Sequence, residues 1–317
     1  MGENHHRGCL LGLAVGDAMG YTVDDKAWEE ICEDYGPNGL LGYDLVNGCA
    51  DVTSYTQLAA FVGNGLLLSL SRGKSDYLRF ITLSLREWAR NQQFHRDPEK
   101  SYCWIAKPKQ LRLHHNRDAR MLDALRLETL GSPEKPVNMN NAPGALTAAV
   151  AIGLFFTPKR MEPAQIGTLA AQTLALTHGD AETFLAGALL AYAIAGILQE
   201  PSHPLKEHFL KATEAMDMQF REKFPHPASQ LSARIKLAIS LAENSNLTPH
   251  QAMEQLKCLT GPEVLAGAVC ACLISPKDFK KYRKLLLTGV AVMQLDKLIV
   301  ASAKAYAIVK KANHDCK

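Results

Sequence analysis

Residues 8–20 read GCLLGLAVGDAMG, with glycine at positions 8, 12, 16 and 20. In a helix, a four-residue interval keeps these small residues on one slowly drifting face. Leu10, Leu11, Leu13, Ala14, Val15 and Met19 lie between them, so the stretch is apolar nearly all round. A helix of that kind belongs in a protein interior. Glycine costs about 1 kcal/mol against alanine inside a helix, and its repeated use predicts close approach of a neighbouring backbone. One charge interrupts the run. The carboxylate of Asp17 has to be paired, protonated or bound to a ligand; capping of a neighbouring helix and contact with a ligand are equal readings at this stage.

The rest of the composition sets bounds. The 317 residues are enough for one large domain or two, and 47% of them are hydrophobic, which provides for a substantial core. Thirty-five basic residues against 32 acidic ones leave a net charge of +3. There is no concentrated basic stripe of the kind nucleic-acid binding needs; the run KDFKKYRK at 277–284 reads as a solvated helix face. The eight cysteines show no paired spacing beyond Cys270 and Cys272. Several fall in apolar runs, where cysteine acts as a small hydrophobe, and free thiols in a reducing cytoplasm are expected. No signal peptide is visible. The apolar run at 10–19 is shorter than the roughly 20 residues that span a bilayer, so no membrane partner is expected. Residues 1–6, with His5 and His6, are polar and are expected to be disordered.

Along the chain, residues 24–52 read as loop, punctuated by Gly36-Pro37-Asn38-Gly39 and Asn47-Gly48. Thr53 is a suitable N-cap for a helix running through Leu70. Apolar periodicity predicts further helices near 75–91, 118–127, 145–156, 163–177, 180–198, 204–222, 227–244, 248–257, 262–273, 277–288 and 291–311. No strand-like alternation or solenoid repeat stands out. The expected fold is all-α: a compact single domain over residues 1–317, built as an orthogonal helical bundle. Residues 92–117 are polar and aromatic, and the adjacent His114 and His115 do not share a helix face, which argues against a metal pair. The loop 131–144 (GSPEKPVNMNNAPG) opens directly into the helix at 145–156. Free N–H groups and a positive dipole end at such a junction suit phosphate or water. Trp28, Trp88 and Trp104 read as packing anchors.

These landmarks carry a resemblance. The opening GCLLGLAVGDAMG resembles the first helix of the ADP-ribosylglycohydrolase family, which includes dinitrogenase-reductase-activating glycohydrolases and ADP-ribosylarginine hydrolases. The later order agrees: Thr53–Gln57 at a helix start, Asn140–Gly144 leading into a small-residue helix, Leu176-Thr177-His178 at mid-chain, and Gly261–Ala266 in a late helix. The resemblance covers nearly the whole chain. It implies an all-α domain with a cleft for ADP-ribose, in which two magnesium ions assist cleavage of the bond between ribose and a protein side chain.

The sequence departs from that pattern at the metal. Where the family carries Thr-Asp-Asp-Thr, this chain has Thr53, Ser54, Tyr55 and Thr56. Where the family ends in Asp-x-Asp followed by Thr or Ser, it has Gln294, Leu295, Asp296 and Lys297. Asp24 falls at an acidic position after the first helix. Magnesium requires hard oxygen ligands, usually carboxylates. Two ions bring four positive charges; Asp24 and Asp296 return two and Lys297 adds one, so about +3 would remain in a partly dry cleft. Like charges about 4 Å apart repel by roughly 4 kcal/mol at an effective dielectric of 20.

The expectation is therefore no metal and no cofactor. The predicted function is an ADP-ribose-type binder with weak or no hydrolase activity, whose partner is ADP-ribose, a related nucleotide or an ADP-ribosylated protein. Asp17, Thr53, Ser54, Tyr55, Asn141, Gly144, His178, Gln294 and Lys297 are the expected ligand-binding residues, and Lys297 stands in for one ion. Two alternatives remain. One is an active hydrolase with a non-standard arrangement, in which Asp24 or Asp296 serves as general base. The other is a ligand-free scaffold whose cleft is filled by Tyr55, Gln294 and Lys297.

Overall fold

The computed structural model describes residues 2–24, 26–45, 50–94, 97–115, 118–155 and 161–274. Among these there are twelve α-helices and no strand. The described residues form two compact units, the first from those in 2–57 and 91–115 and the second from those in 58–90 and 118–274. The predicted helices at 277–288 and 291–311, with Gln294, Asp296 and Lys297, lie outside the described residues.

In the first unit, helix α1 spans Gly2–Gly20, so residues 2–6, expected to be disordered, continue the helix. Its buried side is a stripe of Leu11, Ala14, Val15 and Ala18, which packs with Ala50 and Val52; Leu10, Met19 and Tyr43 lie against the edge. The stripe follows the i, i+3, i+4, i+7 spacing of a one-faced helix. Among the described residues, Gly8, Gly16 and Gly20 do not mediate the backbone contact expected of them. A Cβ at Gly8, Gly16 or Gly20 would meet nothing within 4 Å, and Gly8 and Gly16 are exposed. Helix α2, Trp28–Tyr35, falls in the stretch read as loop. Its start is held by Glu30, whose Oε2 accepts the Ala27 N–H at 2.7 Å. It ends at Gly36, with φ at +90°, a conformation glycine adopts at no steric cost. None of its residues is buried, although Trp28, Ile31, Cys32 and Tyr35 follow the i, i+3, i+4, i+7 spacing; the turn-forming residues on either side led the stretch to be read as loop.

Helices α3 (Ser54–Ser71) and α4 (Tyr77–Asn91) follow. Within the second unit they are tied by Asn64, whose Nδ2 donates to Ser84 Oγ at 3.1 Å, while that hydroxyl donates to the Phe61 carbonyl at 2.6 Å. Trp88 of α4 is fully buried, as a packing anchor should be. The short helix α5, Ala119–Arg126, is capped by Asp118, which accepts the Arg120 N–H at 3.0 Å.

The rest of the second unit is α6 (Leu146–Phe155), α7 (Pro163–Ala175), α8 (Ala181–Gln199), α9 (Leu205–Phe220), α10 (Pro225–Glu243), α11 (Pro249–Leu256) and α12 (Gly261–Ile274). Three of these begin on proline, whose missing N–H costs nothing in the first turn. Helix α8 is central, packed by α6, α7 and α9. It is long and apolar enough to cross a membrane by length and composition, but most of it is buried inside the protein. Its small residues allow close packing: a Cβ at Gly153 of α6 would lie 2.8 Å from the Ala191 carbonyl of α8. The boundaries of α4 to α12 fall within one or two residues of the sequence reading, the usual latitude for helix ends.

Candidate functional site

Two polar clusters, one in each unit, contain seven of the sequence-predicted residues: Asp17, Thr53, Ser54 and Tyr55 in the first, Asn141, Gly144 and His178 in the second. In the first, the chain enters α3 through Thr53, which serves as N-cap: its carbonyl accepts the Gln57 N–H and its Oγ1 accepts the Tyr55 N–H at 3.3 Å. Asp17, on α1, supplies a second cap from outside. Its Oδ2 accepts the Thr53 N–H at 2.8 Å, the Thr56 N–H at 3.0 Å and the Thr56 hydroxyl at 2.6 Å, and its Oδ1 accepts the Thr53 hydroxyl at 2.5 Å. Four bonds match the roughly four lone-pair sites of a carboxylate. The negative charge also sits at the positive end of a helix dipole. Asp17 is 8% exposed. Of the two readings of this residue, the cap is the one the coordinates display.

Ser54 is buried and Tyr55 half-buried as the first residues of α3. Asp24 is exposed in the turn after α1 rather than in this buried cluster. Close to the α3 start in sequence, Asp51 faces His115, Oδ2 to Nε2, at 3.5 Å; Asp51 Oδ1 accepts the Val52 N–H at 2.9 Å. The His115 ring meets Tyr21 edge-on at 5.3 Å. Its backbone N–H donates to Gln92 Oε1 at 3.2 Å, and Gln92 and Gln57 both donate to the Leu113 carbonyl. Reading His114 and His115 only as a possible metal pair missed this arrangement.

The second cluster holds the loop before α6. Asn138 Oδ1 accepts the N–H groups of Asn140 and Gly179, both at 3.0 Å, and its Nδ2 donates to the Thr177 carbonyl at 3.0 Å. Gly179 is required here, because a Cβ would stand 1.8 Å from the Asn138 carbonyl oxygen. Asn140 is 1% exposed. Its Oδ1 accepts the Ala142 N–H at 3.2 Å; its Nδ2 donates to Asp118 Oδ2 at 2.6 Å and lies 3.3 Å from His178 Nε2. These partners fix the amide orientation and the imidazole tautomer: Nε2 accepts from Asn140, and Nδ1–H donates to Thr177 Oγ1 at 2.8 Å. At 3.7 Å, Asp118 Oδ2 is too far from Nε2 for a direct hydrogen bond. Burial pulls the His178 pKa down to about 4, with Asp118 raising it and Arg120 lowering it further, so the ring is neutral at pH 7.

His178 is fully buried, and both ring nitrogens are engaged within the protein. Asn141 is exposed and Gly144 half-buried, on the short 3₁₀ turn Pro143–Ala145 that leads into α6. The Asn141 carbonyl accepts the Gly261 N–H at 2.8 Å, joining this loop to the start of α12. Pro143 has no N–H, which removes one of the donors expected at this helix start. The structure thus brings Asp17, Thr53, Ser54 and Tyr55 to one helix start, and Asn141, Gly144 and His178 to one loop cluster. Asp118, Asn138 and Asn140 were not singled out from sequence. Their signals were a capping aspartate before a helix and an Asn-x-Asn pair in a turn-rich loop.

The sequence model of the ADP-ribosylglycohydrolase family matches residues 3–293. The chain belongs to the ADP-ribosylglycohydrolase family. A search of curated proteins finds no match to it. The match accounts for the all-helical architecture and for the order of landmarks from α1 to α12. As an ADP-ribosylglycohydrolase-type protein, the chain has ADP-ribose-related compounds as its substrate class. In this member of the family, Thr53 and Thr56 at the α3 start are the residues that meet the Asp17 cap.

Proposed function

We propose that this ADP-ribosylglycohydrolase-family protein binds ADP-ribose or a related nucleotide, alone or attached to a protein, without a binuclear magnesium site and with weak or no hydrolase activity. The observation that carries the reading is the α3 start. The family's metal motif there is Thr-Ser-Tyr-Thr, both threonine hydroxyls donate to Asp17, and Asp17 already accepts four hydrogen bonds. A carboxylate engaged in this way is a poor donor to magnesium, which demands near-octahedral oxygen coordination. At the α3 start, hydroxyls already bonded to Asp17 and a carboxylate already accepting four hydrogen bonds do not fit a pair of magnesium ions. Asn141 and Gly144, in the loop of the second unit, remain the groups expected to meet the ligand; Gln294, Asp296 and Lys297 lie outside the described residues. The described cysteines form no disulfide, which supports a reducing compartment such as the cytoplasm.

Calorimetry with ADP-ribose in magnesium and in EDTA tests the binding half, and turnover of ADP-ribosylated arginine tests the catalytic half. Binding of similar strength in both buffers, with negligible turnover, is expected. Turnover that requires added magnesium overturns the reading.

The Asp51–His115 pair favours a second reading, hydrolysis by a non-standard acid–base pair. Here a carboxylate stands 3.5 Å from a buried imidazole nitrogen that has no hydrogen-bond partner among the described residues, which leaves that nitrogen available to a water. It requires turnover in EDTA that is lost in His115→Asn.

A further inference from the structure

We propose that Asn140 is the positioning residue of the ligand loop, holding Asn141 and Gly144 in binding geometry through a directed hydrogen-bond chain, Asp118–Asn140–His178–Thr177. The role of the loop rests on the nucleotide-binding reading above; the chain itself rests on geometry alone.

The chain gathers three separate parts of the second unit. Asp118 is the cap of α5, His178 and Thr177 lie in the turn after α7, and Asn140 belongs to the loop that opens α6. Its direction is imposed from one end. An ionised Asp118 can only accept, so Asn140 must present its Nδ2 there. That places Oδ1 on the Ala142 N–H, inside the loop, and aims the second Nδ2–H at His178 Nε2. The neutral imidazole then donates from Nδ1 to Thr177 Oγ1. Asn140 thereby fixes the backbone on both sides of Asn141, since its own N–H is held by Asn138 Oδ1 and its carbonyl accepts the Asp180 N–H at 3.4 Å. Asn141 is exposed and its side chain makes none of these contacts; its backbone is held by Asn140 on either side and by the Gly261 N–H on its own carbonyl. Arg120, on the same α5 turn, donates its backbone N–H and its Nε to Asp118 Oδ1, leaving Oδ2 to Asn140.

The chain can be reversed as a whole, and the test uses this. Asn140→Asp sets a carboxylate against the Asp118 carboxylate and removes both donors. Adding Asp118→Asn restores complementarity in the opposite direction. The amide at position 118 donates to the carboxylate at position 140, His178 switches to its Nε2–H tautomer, and Thr177 Oγ1 donates to Nδ1. Asparagine caps helices as well as aspartate does, so α5 is unaffected.

Amide hydrogen exchange of residues 141–145 without ligand and ADP-ribose calorimetry are measured on the full chain. Asn140→Asp is expected to speed exchange in that loop and weaken ADP-ribose binding by about tenfold each, in line with one lost buried hydrogen bond. The double variant is expected to return both to within about threefold of wild type. Unchanged loop exchange in folded Asn140→Asp overturns the proposal, as does a folded double variant with no recovery. Equal ADP-ribose affinity in wild type and Asn140→Asp overturns it while leaving the binding reading intact. Expected exchange behaviour with no ADP-ribose binding by wild type leaves the positioning role standing and removes the binding reading. If Asn140→Asp does not fold, His178→Leu, which lacks the acceptor, is expected to loosen the loop, and His178→Gln, which supplies one, to restore it. Equal exchange in those two variants then overturns the proposal.

Discussion

Asp17 accepts both the backbone N–H and the hydroxyl of Thr53, at 2.8 and 2.5 Å, and so closes the start of α3 from a helix 36 residues earlier in the chain. This second capping group, beside the local cap of Thr53, comes from outside the helix and ties α1 to the start of α3 within the first unit.

Removing that cap should be costly. Asp17→Ala leaves the N–H groups of Thr53 and Thr56 without their buried acceptor, and is expected to reduce the unfolding free energy by about 3 kcal/mol. Asp17→Asn retains one acceptor oxygen and should lose less. Urea unfolding followed by circular dichroism measures both; an alanine variant as stable as wild type would show that the α3 start does not depend on this carboxylate.

His178 should make the protein acid-sensitive. Its pKa is about 4 in the folded chain because of burial, against an ordinary value of 6.5. Between those values the unfolded chain binds the proton and the folded chain does not. The contribution is therefore absent above about pH 6.5, and stability falls as pH drops toward 4, by about 3 kcal/mol across the window. Comparing urea unfolding at pH 7 and pH 4.5 in wild type and His178→Gln isolates it, with the smaller loss expected in the variant.

Gly179→Ala should be among the most damaging single-methyl additions. The new Cβ would stand 1.8 Å from the Asn138 carbonyl oxygen and 2.8 Å from Pro136 Cβ, where backbone rather than a flexible side chain must yield. A loss of about 3 kcal/mol or more is expected, read as a lowered melting temperature with the helical circular dichroism signal retained below it.

Arg234 of α10 bridges Glu182 of α8, at 2.5 Å, and Glu263 of α12, at 3.4 Å. Glu263 also accepts the Leu259 and Thr260 N–H groups ahead of α12, at 3.2 and 3.1 Å. Arg234→Met leaves two largely buried carboxylates facing one another. The arginine is 37% exposed, so screening limits the cost to about 1–2 kcal/mol. Melting curves at low and high salt should show the deficit shrinking as salt rises. Glu182, already raised by burial despite its hydrogen bond from Arg234, should titrate higher still in the variant.

The helices from α3 to α12 could be read from the sequence because their signals are local. Prolines at 163, 225 and 249 mark starts, Asp118 and Asp180 mark caps, and the apolar runs between them are long enough to show their period. That residues 53–56 read Thr-Ser-Tyr-Thr was equally plain, since it is a matter of residue identity alone. Helix α2 was missed although Trp28, Ile31, Cys32 and Tyr35 keep a helical spacing, because the run is only eight residues long and sits among turn-forming residues. The role of Asp17 could not be read, since two readings fitted it equally until Thr53 and Thr56 were placed beside it. Only the tertiary structure could bring Asp118, Asn140 and His178 into one chain, because their contacts join positions 22 and 38 residues apart. A hydrogen bond needs its partners within about 3 Å of each other, and spacing along the sequence does not set that distance once the backbone has turned between them.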